Sequence, residues 1–206
     1  MEKEKNIVLY NRSKVLRIKS YLALMKLRLS LFVVLSSILG YLIGAESFQI
    51  SDVGFLCLGG FLITGSSNAF NQILERDLDK LMTRTKNRPI PRGDLSVVKS
   101  LIFAFLIGIL GVVILWQLNY ICAVLGFLAL IIYVAIYTPL KTITPFAVLV
   151  GAIPGSIPPM LGYVAASRGL GLEPGILFML QFFWQFPHFW TIAWRLDDDY
   201  KKAGFR

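Results

Sequence analysis

The chain has 206 residues, 56% of them apolar and 16% charged, with a formal net charge of +9 and a mean hydropathy of +0.66. Apolar runs of bilayer-spanning length exclude an ordinary soluble fold, and the absence of alternating segments of about ten residues excludes a transmembrane β-barrel. The positive charge lacks the basic and aromatic interleaving of a nucleic-acid surface, so no nucleic-acid partner is expected; it is mostly a loop bias that orients the chain in the membrane, plus attraction to anionic lipid headgroups.

In chain order, residues 1–20 form a charged segment, expected to be mobile or interfacial and cytoplasmic. Six apolar spans follow, at about 21–45, 52–76, 98–117, 121–138, 143–166 and 173–195. They predict an all-α fold, a polytopic membrane helix bundle, as one domain over 21–206. The first span is too long and too deep for a cleaved signal peptide, and Glu2 and Glu4 argue against a transit peptide. Cys57 and Cys122 fall inside spans and read as packing residues. Gly59 and Gly60 in span two, and Gly108 and Gly111 in span three, allow close helix approach. Pro154, Pro158 and Pro159 are expected to break or kink span five, and most of the aromatic residues crowding span six are expected in the core or facing lipid.

Charge sets the orientation. Of 21 Lys and Arg residues, only Arg168 falls on the face opposite to the N-terminus, the 77–97 loop and the C-terminus. The positive-inside rule makes that crowded face cytoplasmic.

Two acidic clusters end spans on that face. Span two runs into Asn71-Gln-Ile-Leu-Glu75-Arg-Asp77-Leu-Asp79, and span six into Arg195-Leu-Asp197-Asp198-Asp199-Tyr200. At helical spacing, Asn68, Asn71 or Gln72, Glu75 and Asp79 share one stripe, with Asp77 about 160° from Asp79. The same arithmetic groups His188, Arg195 and Asp199. Glu75, Asp79 and Asp199 are therefore the first choices for metal-facing groups. Magnesium takes oxygen ligands, usually one or two carboxylates plus phosphate oxygens, and Arg84, Arg88 and Lys141 supply cations for a diphosphate. Stabilising a departing diphosphate is electrostatic catalysis, suited to ionisation of an allylic prenyl diphosphate. Charged residues at helix ends are often merely solvated. Two matching clusters, with Asn68 and Asn71 continuing one of them into an apolar span, favour a site instead.

Asn71-x-x-x-Glu75-Arg76-Asp77-Leu78-Asp79, followed by Met82-x-Arg84-Thr85-x-x-Arg88-Pro89, resembles the first acidic motif of the UbiA-type intramembrane prenyltransferases, in the form carried by the haem O synthases. Tyr137-Thr138-Pro-Leu-Lys141, Gly151-Ala-Ile-Pro154-Gly155 with Pro158-Pro159, and Pro187-His188-Phe189-Trp190 before Asp198-Asp199-Tyr200-x-x-Ala203-Gly204 continue the likeness in order. The resemblance covers about residues 21–206. It implies farnesyl transfer from farnesyl diphosphate to a vinyl group of haem B, giving haem O, with Mg2+ as cofactor. Asn71, Glu75 and Asp79 would hold one magnesium-diphosphate contact set, Asp198 and Asp199 the other, and Arg84, Arg88 and Lys141 the diphosphate oxygens. It further implies a bacterial cytoplasmic (inner) membrane location, with haem A synthase or oxidase assembly proteins as candidate partners.

The likeness has departures. Glu75 stands where the family usually has Asp, and Leu27 replaces an expected Pro between Lys26 and Arg28. The family implies about nine spans, of which this chain is expected to hold about six, stopping just past the second acidic motif. His188, the sole histidine, is a candidate haem contact with Arg195, as an axial ligand or through a propionate; a packed residue or a diphosphate contact are the alternatives. Two other readings stand beside the leading one: an aromatic prenyltransferase of quinone synthesis, with the same metal chemistry, and a non-enzymatic cation carrier. The one-sided placement of the acids and their arginine company argue against the carrier.

Overall fold

The computed structural model describes residues 17–204, and these contain helices and turns with no strand. Of the charged segment expected at 1–20, residues 1–16 lie outside the described residues. Residues 17–24 are helical and end in a turn at Met25 and Lys26. The long helices are α1 (Leu27–Gly44), α2 (Ile50–Leu74), α4 (Val97–Trp116), α5 (Tyr120–Leu140), α6 (Ala147–Ser167) and α7 (Leu172–Arg195). Two short helices, α3 (Arg76–Asp79) and α8 (Asp197–Ala203), follow α2 and α7.

Five helices, α1, α2, α4, α5 and α6, are long and apolar enough to cross a membrane. Six spans were expected. The sixth segment forms a helix of 24 residues, but Glu173, Gln181, Gln185 and His188 leave it less apolar than the others. Its polar and apolar residues separate by face. Gln181, Gln185, His188 and Ile192, spaced four, three and four apart, line a partly open cavity. Leu180, Phe183, Trp190 and Trp194 are exposed on the outside.

The bundle is held by α2 against α4 and by α1 against α6. At the α1–α6 crossing a methyl group on Gly162 would fall 1.8 Å from the Ser37 carbonyl oxygen, and one on Gly40 2.0 Å from that of Pro159. Only glycine permits that backbone approach. Cys122 is buried within the main apolar core with Leu56, Ile63, Leu115 and Leu161, in keeping with a packing role. Of the break or kink expected in the fifth span, no break occurs: α6 runs unbroken through Pro154, Pro158 and Pro159. The irregularity falls one helix earlier, where Ile132–Tyr137 of α5 is π-helical just before Pro139. Proline has no N–H to donate and crowds the preceding turn, and widening that turn accommodates both.

The two ends of the bundle differ in charge. One carries the α2–α4 and α5–α6 connections and the end of α7, where Glu75, Asp79, Arg88 and Lys141 lie. At the other, Arg168 pairs with Asp52 at 2.6 Å and also donates to the Leu118 carbonyl, which neutralises the one cation of that end among the described residues.

Candidate functional site

The break before α1 shapes one wall. Lys26 adopts a left-handed backbone (φ 51°, ψ 59°), which interrupts the helix and leaves the carbonyls of Leu24 and Met25 without helical partners. Side chains from α1 and α2 satisfy them: Gln72 Nε2 donates to Leu24 at 2.7 Å, and Ser30 Oγ and Asn68 Nδ2 donate to Met25 at 2.8 and 3.4 Å. Two members of the polar stripe on α2 therefore hold the break open. Asn68 also lines the cavity.

The remaining stripe residues converge as their spacing predicts. Asn71, Glu75 and Asp79 are all buried, Asp79 completely, although α2 ends at Leu74. The register survives the interruption because the Asp79 N–H donates to the Glu75 carbonyl at 2.8 Å, four residues back. Asp77 faces water and pairs with Lys80 and Arg76.

Each buried carboxylate has a cation. Arg88 Nη1 reaches both oxygens of Asp79, at 2.7 and 2.8 Å, and Lys141 pairs with Glu75. The 80–96 loop delivers Arg88 through successive turns. Thr85 Oγ1 donates to the Asp79 carbonyl at 2.9 Å, and Met82, Thr85, Pro89 and Ile90 are buried beneath the loop. Burial pushes the Asp79 carboxyl up from its ordinary value while Arg88 opposes it.

Lys26 is a further member that spacing alone did not assign to the site. Burial and the neighbouring Arg88 and Lys141 lower its pKa to about 7, against the pull of Glu75 and Asp79. Three basic side chains thus surround two carboxylates. The available signal was Lys26-Leu27-Arg28, two cations at the start of an apolar span.

The second acidic cluster also follows a short interruption: α7 ends at Arg195 and Leu196 (φ −113°, ψ 17°) leads into α8, with the Tyr200 N–H donating to the Leu196 carbonyl at 2.9 Å. Asp199 lies against the 80–96 loop. Its two oxygens accept the backbone N–H groups of Thr83 and Arg84, both at 3.1 Å, which clasps α8 to the 80–96 loop and holds the carboxyl below its ordinary value. Asp198, Arg84 and Arg195 have exposed side chains. Tyr200, which follows Asp199, is half-buried, and its phenol is pushed up by burial beside Arg84, Glu75 and Arg88. Among the described residues no three His, Cys, Asp or Glu side chains gather closely enough to hold a metal by themselves.

Beside the charged cluster lies a cavity of about 730 Å³ between α1, α2, α5, α6 and α7, lined chiefly by apolar groups with Asn68, Gln181, Gln185 and His188 among them. Tyr137 joins the two regions. Its ring lines the cavity, packs on Phe189 at 5.9 Å, and carries the Lys141 ammonium 5.0 Å from its centre. His188 reaches the cavity wall, whereas Arg195 is not among the lining residues.

Residues 33–206 match the UbiA prenyltransferase family. The chain belongs to that family. Among its relatives are a protoheme IX farnesyltransferase of Christiangramia forsetii, 55% identical over 180 residues (87% of this chain, 60% of the relative), and one of Cytophaga hutchinsonii, 48% identical over 191 residues (91% of this chain, 66% of the relative). The chain thus spans about three fifths of the length of the first of these and about two thirds of the second. The fold also matches solved structures: a digeranylgeranylglyceryl phosphate synthase (TM-score 0.79, 19% identity, 92% of this chain and 67% of that one) and a UbiA homolog of Archaeoglobus fulgidus bound to GPP and Mg2+ (TM-score 0.71, 18% identity, 90% and 66%). Family and apolar helices together make this an integral membrane protein.

Proposed function

We propose that the chain transfers a farnesyl group from farnesyl diphosphate to a vinyl group of haem B, forming haem O, at a cytoplasmic-face site of a bacterial inner membrane. The observation that carries this reading is the pairing of two buried carboxylates, Glu75 and Asp79, with Lys141 and Arg88 at one end of an apolar cavity. An anionic head and a long apolar tail suit those two adjoining regions. The curated relatives named protoheme IX farnesyltransferase supply the acceptor.

The donor set fits Mg2+. Asn71 Oδ1, Glu75 and Asp79 are oxygen ligands of the kind that ion prefers, and Asp198 and Asp199 are the candidates for a second contact set. When bound, Mg2+ supplies charge neutralisation for the diphosphate. Arg88 and Lys141, joined by Lys26 and Arg84, exchange carboxylate partners for diphosphate oxygens and so stabilise the leaving group. The rings of Tyr133 and Tyr137, on the cavity wall, face the farnesyl cation formed as the C–O bond breaks. The haem vinyl carbon attacks that cation, and water adds at the neighbouring carbon, losing a proton. The apolar lining keeps other water from the cation until then. His188 is the candidate haem contact, with Arg195 available to a propionate at the mouth.

The test is acceptor choice. Membranes containing the chain are given farnesyl diphosphate and Mg2+ with either haem B or 4-hydroxybenzoate, and the products are identified by mass spectrometry. Haem O from the first mixture alone is the expected result. Prenylated hydroxybenzoate without haem O would replace this reading with quinone synthesis, and no product from either would refute activity of this chain.

A further inference from the structure

The amide of Asn71 is held by a hydrogen bond whose direction a third group decides. Thr138 lies at the end of the π-helical turn of α5, so its backbone N–H bonds the Tyr133 carbonyl five residues back. Its hydroxyl donates to that same carbonyl at 2.8 Å. A hydroxyl has one hydrogen, and here it is committed. Toward any other neighbour Thr138 Oγ1 can only accept, and it accepts from Asn71 Nδ2 at 3.3 Å. Asn71 is 2% exposed and Thr138 3%, so little water competes for either group. The nitrogen of the amide is thereby held toward α5, and Oδ1, its one atom able to meet a cation, is directed away from Thr138. In a regular α-helix the Thr138 N–H would turn to the Val134 carbonyl instead of Tyr133, and the hydroxyl would follow to a carbonyl within the tighter turn, changing the direction from which Oγ1 meets Asn71.

We infer that Thr138 is a positioning residue, which sets the Asn71 side chain with its oxygen presented to a divalent cation, and that the π-helical turn supplies the carbonyl that fixes this orientation. The inference rests on the proposed binding of a magnesium-diphosphate group by Asn71. It assigns Thr138 no contact with substrate.

The chain, reconstituted in lipid nanodiscs, is titrated with farnesyl thiodiphosphate, an unreactive analogue, at a series of Mg2+ concentrations and in EDTA. The comparison covers Thr138→Val, Thr138→Ser, Asn71→Ala and the double variant Asn71→Ala with Thr138→Val. Valine keeps the branched shape and removes the hydroxyl; serine keeps the hydroxyl. Thr138→Val should require roughly three- to tenfold more Mg2+ for half-maximal analogue binding, the worth of one hydrogen bond, with Thr138→Ser within about twofold of the unmodified chain. Analogue binding in EDTA should be the same for both Thr138 variants and the unmodified chain. In the Asn71→Ala background the valine substitution should add nothing. An unshifted Mg2+ requirement in Thr138→Val overturns the inference, as do an equal shift in the serine variant, a loss that persists in EDTA, or a full additional effect in the Asn71→Ala background. Analogue binding by the unmodified chain that ignores Mg2+ would instead overturn the proposed function, and this inference with it.

Discussion

Asp79→Asn should weaken Mg2+-dependent binding of farnesyl diphosphate far more than Asp77→Asn, though the two positions are only two residues apart. Asp79 is fully buried and Arg88 reaches both its oxygens from a side chain 16% exposed. Removing one partner of a buried ion pair costs about 3–5 kcal/mol. Asparagine keeps one acceptor for Arg88, and the opening beside Arg88 admits solvent, so roughly half of that, about 2 kcal/mol, is a fair expectation for stability. A comparable loss from the metal-diphosphate contacts corresponds to about a 30-fold weaker affinity. Asp77 lies in water and pairs only with Lys80 and Arg76, so its neutralisation should leave both quantities within error. The assays are a titration of the thiodiphosphate analogue with Mg2+ and thermal denaturation in detergent. Equal effects at the two positions, or a larger one at Asp77, would refute the assignment of the buried face.

Lys26 predicts a pH dependence. Its pKa of about 7 lies well below the ordinary 10.5, so between those values the unfolded chain holds a proton that the folded chain lacks. Folding stability should therefore rise with pH across that window, and the rise should vanish in Lys26→Met, as thermal melts across the window will show. A bound diphosphate favours the ammonium form, so binding takes up a proton. Between pH 7 and 9 affinity for the analogue should fall by up to about tenfold per pH unit more in the unmodified chain than in Lys26→Met, and parallel profiles would rule Lys26 out of the site. Asp199→Ala should release the clasp on the 80–96 loop, seen as faster hydrogen exchange at the amides of Thr83 and Arg84. Because the Asp199 carboxyl is held below its ordinary value, the clasp should persist above the usual carboxylate range and loosen as pH falls through the lowered pKa. Unchanged exchange at both amides would contradict the contact.

The parts of the site that were legible in the sequence are those set by one helix. Asn71, Glu75 and Asp79 follow i, i+4 spacing, and a single hydrogen bond from Asp79 to Glu75 carries that register past the end of α2. What spacing did not encode for the second cluster is its partner: the Asp199 carboxylate clasps the backbone N–H groups of Thr83 and Arg84, more than a hundred residues earlier in the chain. The left-handed Lys26 and the π-helical turn were equally hidden. Each is stabilised by groups distant in sequence, Gln72 and Asn68 for the first and Asn71 for the second, which become neighbours only when the helices pack. The six-segment pattern was readable as helices, but the polar cavity face of α7 lowered its hydropathy below that of its neighbours.

The most direct test of the account is to crystallise the chain with farnesyl thiodiphosphate and Mn2+ in place of Mg2+ and to locate the metal by its anomalous scattering. The account predicts a peak within bonding distance of Glu75 and Asp79, on the side of Asn71 Oδ1, with Arg88 and Lys141 turned to diphosphate oxygens. A metal and diphosphate bound elsewhere, with the Asp79–Arg88 and Glu75–Lys141 pairs intact, would contradict it.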